Sequence, residues 1–365
     1  MNTRTLSEIR AKPQFLNHMV VRLLISKFKI EDEQLILFIQ KNYGILIKDI
    51  EFIPVGDSAY SYKVNGLDEQ QYYLKLFDHH NDRQREGIRR LNYYLPLTWD
   101  LYHQGLFINI THPIKNYLGS LSTTLEDITL VLFNFIVGET LAEAYPFSDE
   151  ILVGIAKSVA TLEQITPHVN QTLLPKESFD ITFETDLLRC ISILEKSNPN
   201  NDIYQSLREV VLLKKGQILS SMNVVREIRN SVHINASQLV LCHGDMWGGN
   251  IIYHNHQLFF LDWESVILAP PEYNLYGYIG SSFDIFISSY FKQLDRKIQI
   301  NLFLIRFYSY RAHLRNLSNW VMNILFRNTD ESQSINDLDM IRNHCLNRFD
   351  QIEPNIRNIR CDIVS

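Results

Sequence analysis

The sequence predicts an α+β chain in two lobes: a small antiparallel sheet with one helix, followed by a mainly helical lobe. Three observations predict it. Strand-like runs gather before about residue 135 and helical periodicity dominates after it. The change of character falls at Gly138. At 365 residues the chain also exceeds the size at which one hydrophobic core keeps growing, so two lobes with a cleft between them are expected.

Residues 1–30 show no clear periodicity and read as an extension. From Glu31, the apolar Leu35, Ile36, Phe38, Ile39 and Tyr43 fit a short amphipathic helix with acids in its first turn and Gly44 as its stop. Residues 47–55, 60–64 and 71–77 are rich in β-branched and aromatic side chains and read as strands, with Asn65-Gly66 as the hairpin turn between the last two. A charged helix is expected over 81–103. Two more strands, 118–125 and 128–135, are joined by Glu126-Asp127. These elements make an N-terminal lobe of residues 31–136.

The second lobe is expected over 137–350. Ser148 is placed as an N-cap, Asp149 and Glu150 suit the positive helix end, and Ile151, Leu152, Ile155, Val159 and Leu162 recur at helical spacing. Helix is expected again over 201–231 and 284–350, with short β pieces around a Gly-rich loop at 239–262 and a tail at 351–365.

A hydrophobic content of 45% and a charged content of 21% are those of a globular protein and exclude disorder. A net charge of -6 with scattered signs leaves no basic face for nucleic acid. Cys190, Cys242, Cys345 and Cys361 are widely spaced and read as free thiols of a reducing cytoplasm. Arg22 interrupts the only apolar stretch near the N-terminus, and the longest apolar run, 128–137, is about half of the ~20 residues needed to span a bilayer. Neither secretion nor a membrane partner is expected. Protein partners leave no trace in the sequence.

The most informative segment is His243-Gly244-Asp245-Met246-Trp247-Gly248-Gly249-Asn250, followed by two short β runs and Asp262-Trp263-Glu264. If 251–253 and 258–261 pair across a turn at 254–257, Asn250 lies beside Leu261 and next to Asp262. Two hard oxygen donors then converge, with Asp245 on the loop just before them. Magnesium is usually held by one or two such protein groups together with substrate phosphates, so Asn250 and Asp262 are the candidate metal ligands. Phosphoryl transfer further needs a carboxylate to accept a hydroxyl proton, and Asp245 is placed for it. His79-His80 and His254/His256 are read as a helix start and an exposed turn rather than metal sites.

His-Gly-Asp-x-x-x-x-Asn with Asp-Trp-Glu twelve residues on resembles the catalytic loop and metal segment of the aminoglycoside phosphotransferase and choline kinase superfamily, with spacing nearest to its spectinomycin phosphotransferase branch. The resemblance covers about 31–330 and implies a protein-kinase-like fold, ATP and Mg2+ as cofactors, and a small-molecule hydroxyl as acceptor. It implies further roles. Lys75 in Tyr72-Tyr73-Leu74-Lys75-Leu76 would grip the α/β-phosphates with Glu86 as its ion-pair partner, although Arg83, Arg85, Arg89 and Arg90 offer Glu86 surface partners instead. Phe133, Phe135 and Ile136 fall on the hinge that meets adenine, and His243 would orient the loop. Gly56-Asp57-Ser58-Ala59 is open between an ordinary β-turn and a phosphate contact through Gly56, backbone N–H groups and the Ser58 hydroxyl.

The acceptor expected is an aminoglycoside or aminocyclitol antibiotic such as spectinomycin, which would make the protein an antibiotic-resistance enzyme. Glu264, Glu272 and Asp284 would receive its ammonium groups among Tyr273, Tyr276, Tyr278 and Phe283, residues that salt bridges and core packing explain equally well. The rivals are a choline, ethanolamine or amino-sugar kinase, and a non-catalytic nucleotide-binding module. Two positions, Asn274 and Thr166, depart from the family pattern, while Trp247 sets the loop apart from protein kinases and toward the small-molecule branch. Trp247 stands where protein kinases carry a lysine, Asn274 where relatives brace the catalytic loop with an Asp, and Thr166 where many have a histidine.

Overall fold

The computed structural model describes residues 27–54, 58–196, 201–233, 238–328 and 330–359, so Gly56, Cys361 and most of the expected extension lie outside the described residues. Helix α1 (Asp32–Tyr43) ends where Gly44 takes a left-handed φ of 69°. Strands β1 (Ile47–Ile53), β2 (Tyr60–Gly66) and β3 (Gln71–Asp78) follow, then helix α2 (Asp82–His103), β4 (Thr123–Leu125) and β5 (Ile128–Asn134). They form a five-stranded sheet in the order β1-β2-β3-β5-β4, with each neighbouring pair antiparallel. Two expectations change. The β2–β3 turn is Leu67 to Gln70, with Asn65 paired to Gln71, because Gly66 N–H and the Gln70 carbonyl close the ladder beyond Asn65. The expected strand 118–125 shrinks to three residues, since Leu118 and Gly119 form a turn closed onto Asn116.

Alternation along β3 places the site. Leu74 and Leu76, with Leu130 and Leu132 of β5 and Leu35 and Ile39 of α1, make a small core on one face of the sheet. Lys75 and Phe77 must therefore point to the other face, where Val131, Phe133 and α2 join the large core shared with the rest of the chain. A one-residue slip would bury Lys75 under α1.

The second part begins with β6 (Glu139–Thr140) and α3 (Asp149–Ile165), whose N-cap Ser148 accepts from the Ile151 N–H at 3.4 Å. Helices α4 (Glu184–Lys196), α5 (Asp202–Leu213) and α6 (Lys215–Ser231) precede β7 (Val240–Cys242), β8 (Ile251–His254), β9 (Gln257–Phe260) and β10 (Ile267–Ala269). Then come α7 (Glu272–Leu275), α8 (Phe283–Leu294), α9 (Leu302–Met322), α10 (Glu331–Asp339) and α11 (Asn347–Arg357). Sequence reading missed α4, although Leu187, Cys190, Ile191 and Leu194 recur at helical spacing and are all buried. The expected tail is in part packed, since Ile352 and Ile356 of α11 are buried. Among the described residues no helix is long and apolar enough to cross a membrane.

Candidate active site

Strand β7 delivers the chain to His243, which is fully buried. Its Nε2–H donates to the Leu261 carbonyl at 2.8 Å, its Nδ1 accepts from the Asp245 N–H at 3.4 Å, and its ring lies 4.6 Å from that of Trp263. Burial pushes the imidazole down to about 4, which suits a ring that must accept at one nitrogen while donating at the other. The loop then turns at Gly244, with φ of +87°, where a Cβ would stand 1.9 Å from the Ser265 carbonyl oxygen. Upstream, both family departures brace β7 through its backbone. Thr166 Oγ1 accepts from Leu241 N–H at 2.8 Å and Asn274 Nδ2 donates to the Leu241 carbonyl at 3.3 Å.

The hairpin pairs Ile251 with Phe260 and Tyr253 with Leu258. Its turn is tighter than expected: His254 pairs with Gln257, and Asn255 and His256 both take positive φ, as a two-residue I′ turn requires. Leu261 N–H donates to the Asn250 carbonyl at 2.9 Å, so Asn250 and Asp262 are neighbours as the register predicts. Asn250 Nδ2 donates to the Asp245 carboxylate and to its backbone carbonyl, each at 2.9 Å, which leaves Oδ1 as the atom Asn250 can offer a cation. Asp262 holds a left-handed φ of 54°, a strained conformation for a residue with a Cβ. These two oxygen donors fit magnesium, which completes its shell with water and substrate phosphates. Among the described residues no group of three or more His, Cys, Asp or Glu is gathered as a metal site.

Asp245 is open to solvent along the cleft yet closely walled by protein. Burial pushes its carboxyl up to about 6 and the Asp262 charge adds to the rise, against the Asn250 hydrogen bond and Arg315. A carboxylate with a pKa near neutrality is better suited to accept a proton than an ordinary aspartate. Two tyrosines that sequence reading left unassigned or gave to the acceptor fix the loop. Tyr278 Oη–H donates to the Met246 carbonyl at 2.9 Å, and Tyr145 Oη accepts from Gly248 N–H at 2.8 Å.

Lys75 crosses from the sheet to this hairpin. Its Nζ donates to Asp262 at 3.0 Å and to Glu264 at 2.6 Å. Burial opposes its charge, but the two carboxylates outweigh it and hold the ammonium well above its ordinary range. Burial likewise pushes Asp262 up, and the Lys75 ammonium carries it below the usual carboxylate range, while Glu264, more deeply buried, is raised.

The structure departs from the expectations at three of the expected site residues, Glu86, Glu264 and Glu272. Glu86 pairs with Arg89 at 3.0 Å and Arg90 at 3.7 Å on the exposed side of α2, and the ion pair expected between it and Lys75 is made by Glu264 instead. That also removes Glu264 from the acceptor site. Glu272 is buried and accepts from the Asn301 N–H at 2.9 Å, so it joins α7 to the start of α9. Asp284 is exposed in the first turn of α8. Of the expected hinge residues, Phe133 lies buried in the β5 ladder opposite Tyr73, one residue before the strand ends, and Phe135, 5.2 Å from Lys63 Nζ, and Ile136 are half-buried in the connection after it. Ser58 is half-buried just before β2.

A model described as the phosphotransferase enzyme family matches residues 49–289. Among solved structures, a spectinomycin phosphotransferase in complex with ADP and spectinomycin is similar at 16% identity and a TM-score of 0.72, covering 90% of this chain and 98% of that one. An aminoglycoside phosphotransferase from Alicyclobacillus acidocaldarius is similar at 12% identity and 0.57, covering 92% and 98%. A microcompartment-associated aminopropanol kinase is similar at 10% identity and 0.60, covering 89% and 98%. These likenesses establish a kinase-like fold. No curated protein matches the sequence.

Proposed function

The chain belongs to the phosphotransferase enzyme family, and from that membership we propose that it moves the γ-phosphate of ATP, with magnesium, to a hydroxyl of a small molecule. The observation that carries this is Lys75 Nζ bridging Asp262 and Glu264 across the cleft, beside a loop on which Asn250 holds the Asp245 carboxylate. ADP, AMP and AMP-PNP complexes among the similar structures support a nucleotide in that cleft.

Asp245 orients the acceptor hydroxyl and takes its proton as the bond to phosphorus forms. Lys75 gives positive charge to the phosphates from the floor of the sheet, and Glu264 keeps its ammonium aimed. Asn250 Oδ1 and Asp262 would hold magnesium, which supplies neutralisation of phosphate charge when bound. The connection after β5, with Phe135 and Ile136, receives adenine. Buried and neutral, His243 fixes the loop rather than exchanging protons with substrate.

Aminocyclitols and aminoglycosides stay in the acceptor screen because a spectinomycin phosphotransferase shares this fold. The carboxylates expected to hold their ammonium groups are engaged elsewhere or exposed on α8, so the proposal extends to hydroxyl-bearing small molecules in general. The test is ADP release by purified protein with ATP and magnesium across aminocyclitols, aminoglycosides, amino alcohols, sugars and hydroxy acids. Acceptor-dependent release lost in Asp245→Asn supports the reading, and equal release by that variant overturns it.

A further inference from the structure

Tyr273 and Tyr276, Tyr308, Arg311, Ala312 and Arg315 line a recess of about 180 Å3, counting the open space at its mouth. It draws its walls from α7, the turn after it, and one face of α9. The three tyrosine rings lie within 4.9–6.0 Å of one another, centre to centre. The recess adjoins the catalytic loop, since Asp245 interacts electrostatically with both Arg315 and Tyr276.

Two features of it are unspent. Tyr308 is 1% exposed, and among the described residues its hydroxyl has no hydrogen-bond partner, a costly arrangement for a buried polar atom. Arg315 is exposed and makes no ion pair with any described residue. Arg311 differs. Its guanidinium binds the Glu177 carboxylate through two hydrogen bonds of 2.9 and 2.6 Å and lies 5.1 Å from the centre of the Tyr308 ring, so its charge is already balanced. Arg315, with no ion pair among the described residues and only the field of Asp245 opposing its charge, thus stands in the recess wall beside aromatic rings. An ammonium group would meet the Arg315 charge there, which opposes the attraction of the tyrosine faces for a cation. A single positive charge matches a monoanion better than a phosphate dianion, and the free volume suits one functional group rather than a whole ligand.

We propose that this recess binds a carboxylate carried by the acceptor alcohol, with Arg315 as its charged partner and the tyrosine rings as its walls. The proposal rests on the phosphotransferase reading and gives its acceptor a chemical class: a hydroxy acid, or a sugar or aromatic alcohol bearing a carboxylate.

Equilibrium binding, independent of turnover, tests it. Matched sets of a neutral alcohol, its carboxylate and its amine (glucose, glucuronate and glucosamine; 4-hydroxybenzyl alcohol, 4-hydroxybenzoate and tyramine; glycerol, glycerate and serinol) are titrated into the full chain with AMP-PNP and magnesium. Binding of at least one carboxylate about 10- to 100-fold tighter than its neutral and amine partners is expected, as for a charge-assisted pair. Arg315→Gln should erase that preference and Arg315→Lys retain part of it. No carboxylate preferred in any set, an amine preferred, or a preference untouched by Arg315→Gln overturns the proposal. Arg315→Gln slowing phosphoryl transfer equally to every acceptor, with no change of preference, also overturns it and assigns the side chain to the phosphoryl group. AMP-PNP binding is measured beside each titration: its absence from the wild-type chain would bring down the phosphotransferase reading itself, whereas nucleotide binding without carboxylate preference brings down only this inference.

Discussion

At the proposed phosphate end of the cleft, Asp245, Asn250 and Asp262 come from one loop and the hairpin it leads into, and apart from the bond of Lys75 to Asp262 their hydrogen bonds run among neighbours in sequence. At the proposed acceptor end, Tyr273, Tyr276, Tyr308 and Arg315 come from a short helix, a turn and the second turn onward of α9, brought together only by packing. At the first end His243, Asn250, Tyr145 and Tyr278 all have hydrogen-bond partners that fix the loop. The second keeps an unpaired guanidinium and an unpaired buried hydroxyl. The difference separates chemistry from choice. A general base and metal ligands tolerate little displacement, whereas an acceptor wall can change its groups without disturbing the transfer step.

The largest effect expected from breaking this contrast is at the base. Asp245→Ala should cost about 10²- to 10⁴-fold in turnover, roughly 3–5 kcal/mol, with nucleotide affinity nearly kept. Rates and AMP-PNP binding measured on the same preparation check it. Asn250→Ala and Asp262→Ala should instead raise the magnesium concentration needed for activity, Asp262→Ala the more because it removes a charge.

Two histidines have pKa values lowered to about 4, the fully buried His243 of the loop by burial, and the half-buried His313, on the side of α9 that meets α11, by burial and the nearby Arg348. In both, the folded pKa is below the ordinary 6.5, so the unfolded chain takes up the proton first as pH falls. Their contribution is intact above about 6.5 and is lost progressively down to about 4. For the fully buried His243 the loss is about 3 kcal/mol. Urea unfolding between pH 7 and 4 should steepen in this window, and His243→Gln should flatten part of the slope. An unchanged slope would place His243 in contact with water.

The two ends differ as much in how they read from sequence. The catalytic hairpin was legible because period-two runs and a turn fix a register locally, and the register alone brings Asn250 to Asp262. The strand that carries Lys75 was legible in its β-rich run and the role of Lys75 came from the family resemblance, yet its partner was not legible, since Glu264 lies 189 positions away and meets it only when sheet and hairpin dock. Glu86 was the nearer guess in sequence, but its side of α2 faces water and three-and-four-residue arginine neighbours. Nothing local marks Arg315, because α9 is apolar on several sides and its helical pattern does not say which residue will face the loop. The contrast between the two glutamates can be measured. Glu264→Gln should destabilise the fold by about 1–3 kcal/mol, less than a fully orphaned buried ammonium because Asp262 still pairs with Lys75, while Glu86→Ala should stay within about 0.5 kcal/mol. Equal shifts in urea midpoint would return Glu86 to the site.

A smaller effect than that of Glu264→Gln is expected from the tyrosines at the border between the two ends. Tyr278 donates to the Met246 carbonyl, one residue past the base, and its ring stacks on Phe286 of α8 at 4.5 Å, so it ties the loop to the helical lobe from the acceptor side. Tyr145 holds Gly248 from the opposite direction, where a Cβ on that glycine would come within 2.3 Å of the Leu141 carbonyl oxygen. Tyr278→Phe removes one hydrogen bond and leaves the stacking, which is worth about 1 kcal/mol. If the bond positions the base, that energy appears in kcat as a loss of about fivefold with the acceptor KM little changed, because a displaced loop misplaces Asp245 without altering the recess. If the bond is only structural, the same energy appears as a lower unfolding midpoint and kcat stays at the wild-type value. Tyr145→Phe should behave as Tyr278→Phe does, and the double variant should lose less than the product of the two, since both bonds restrain one loop.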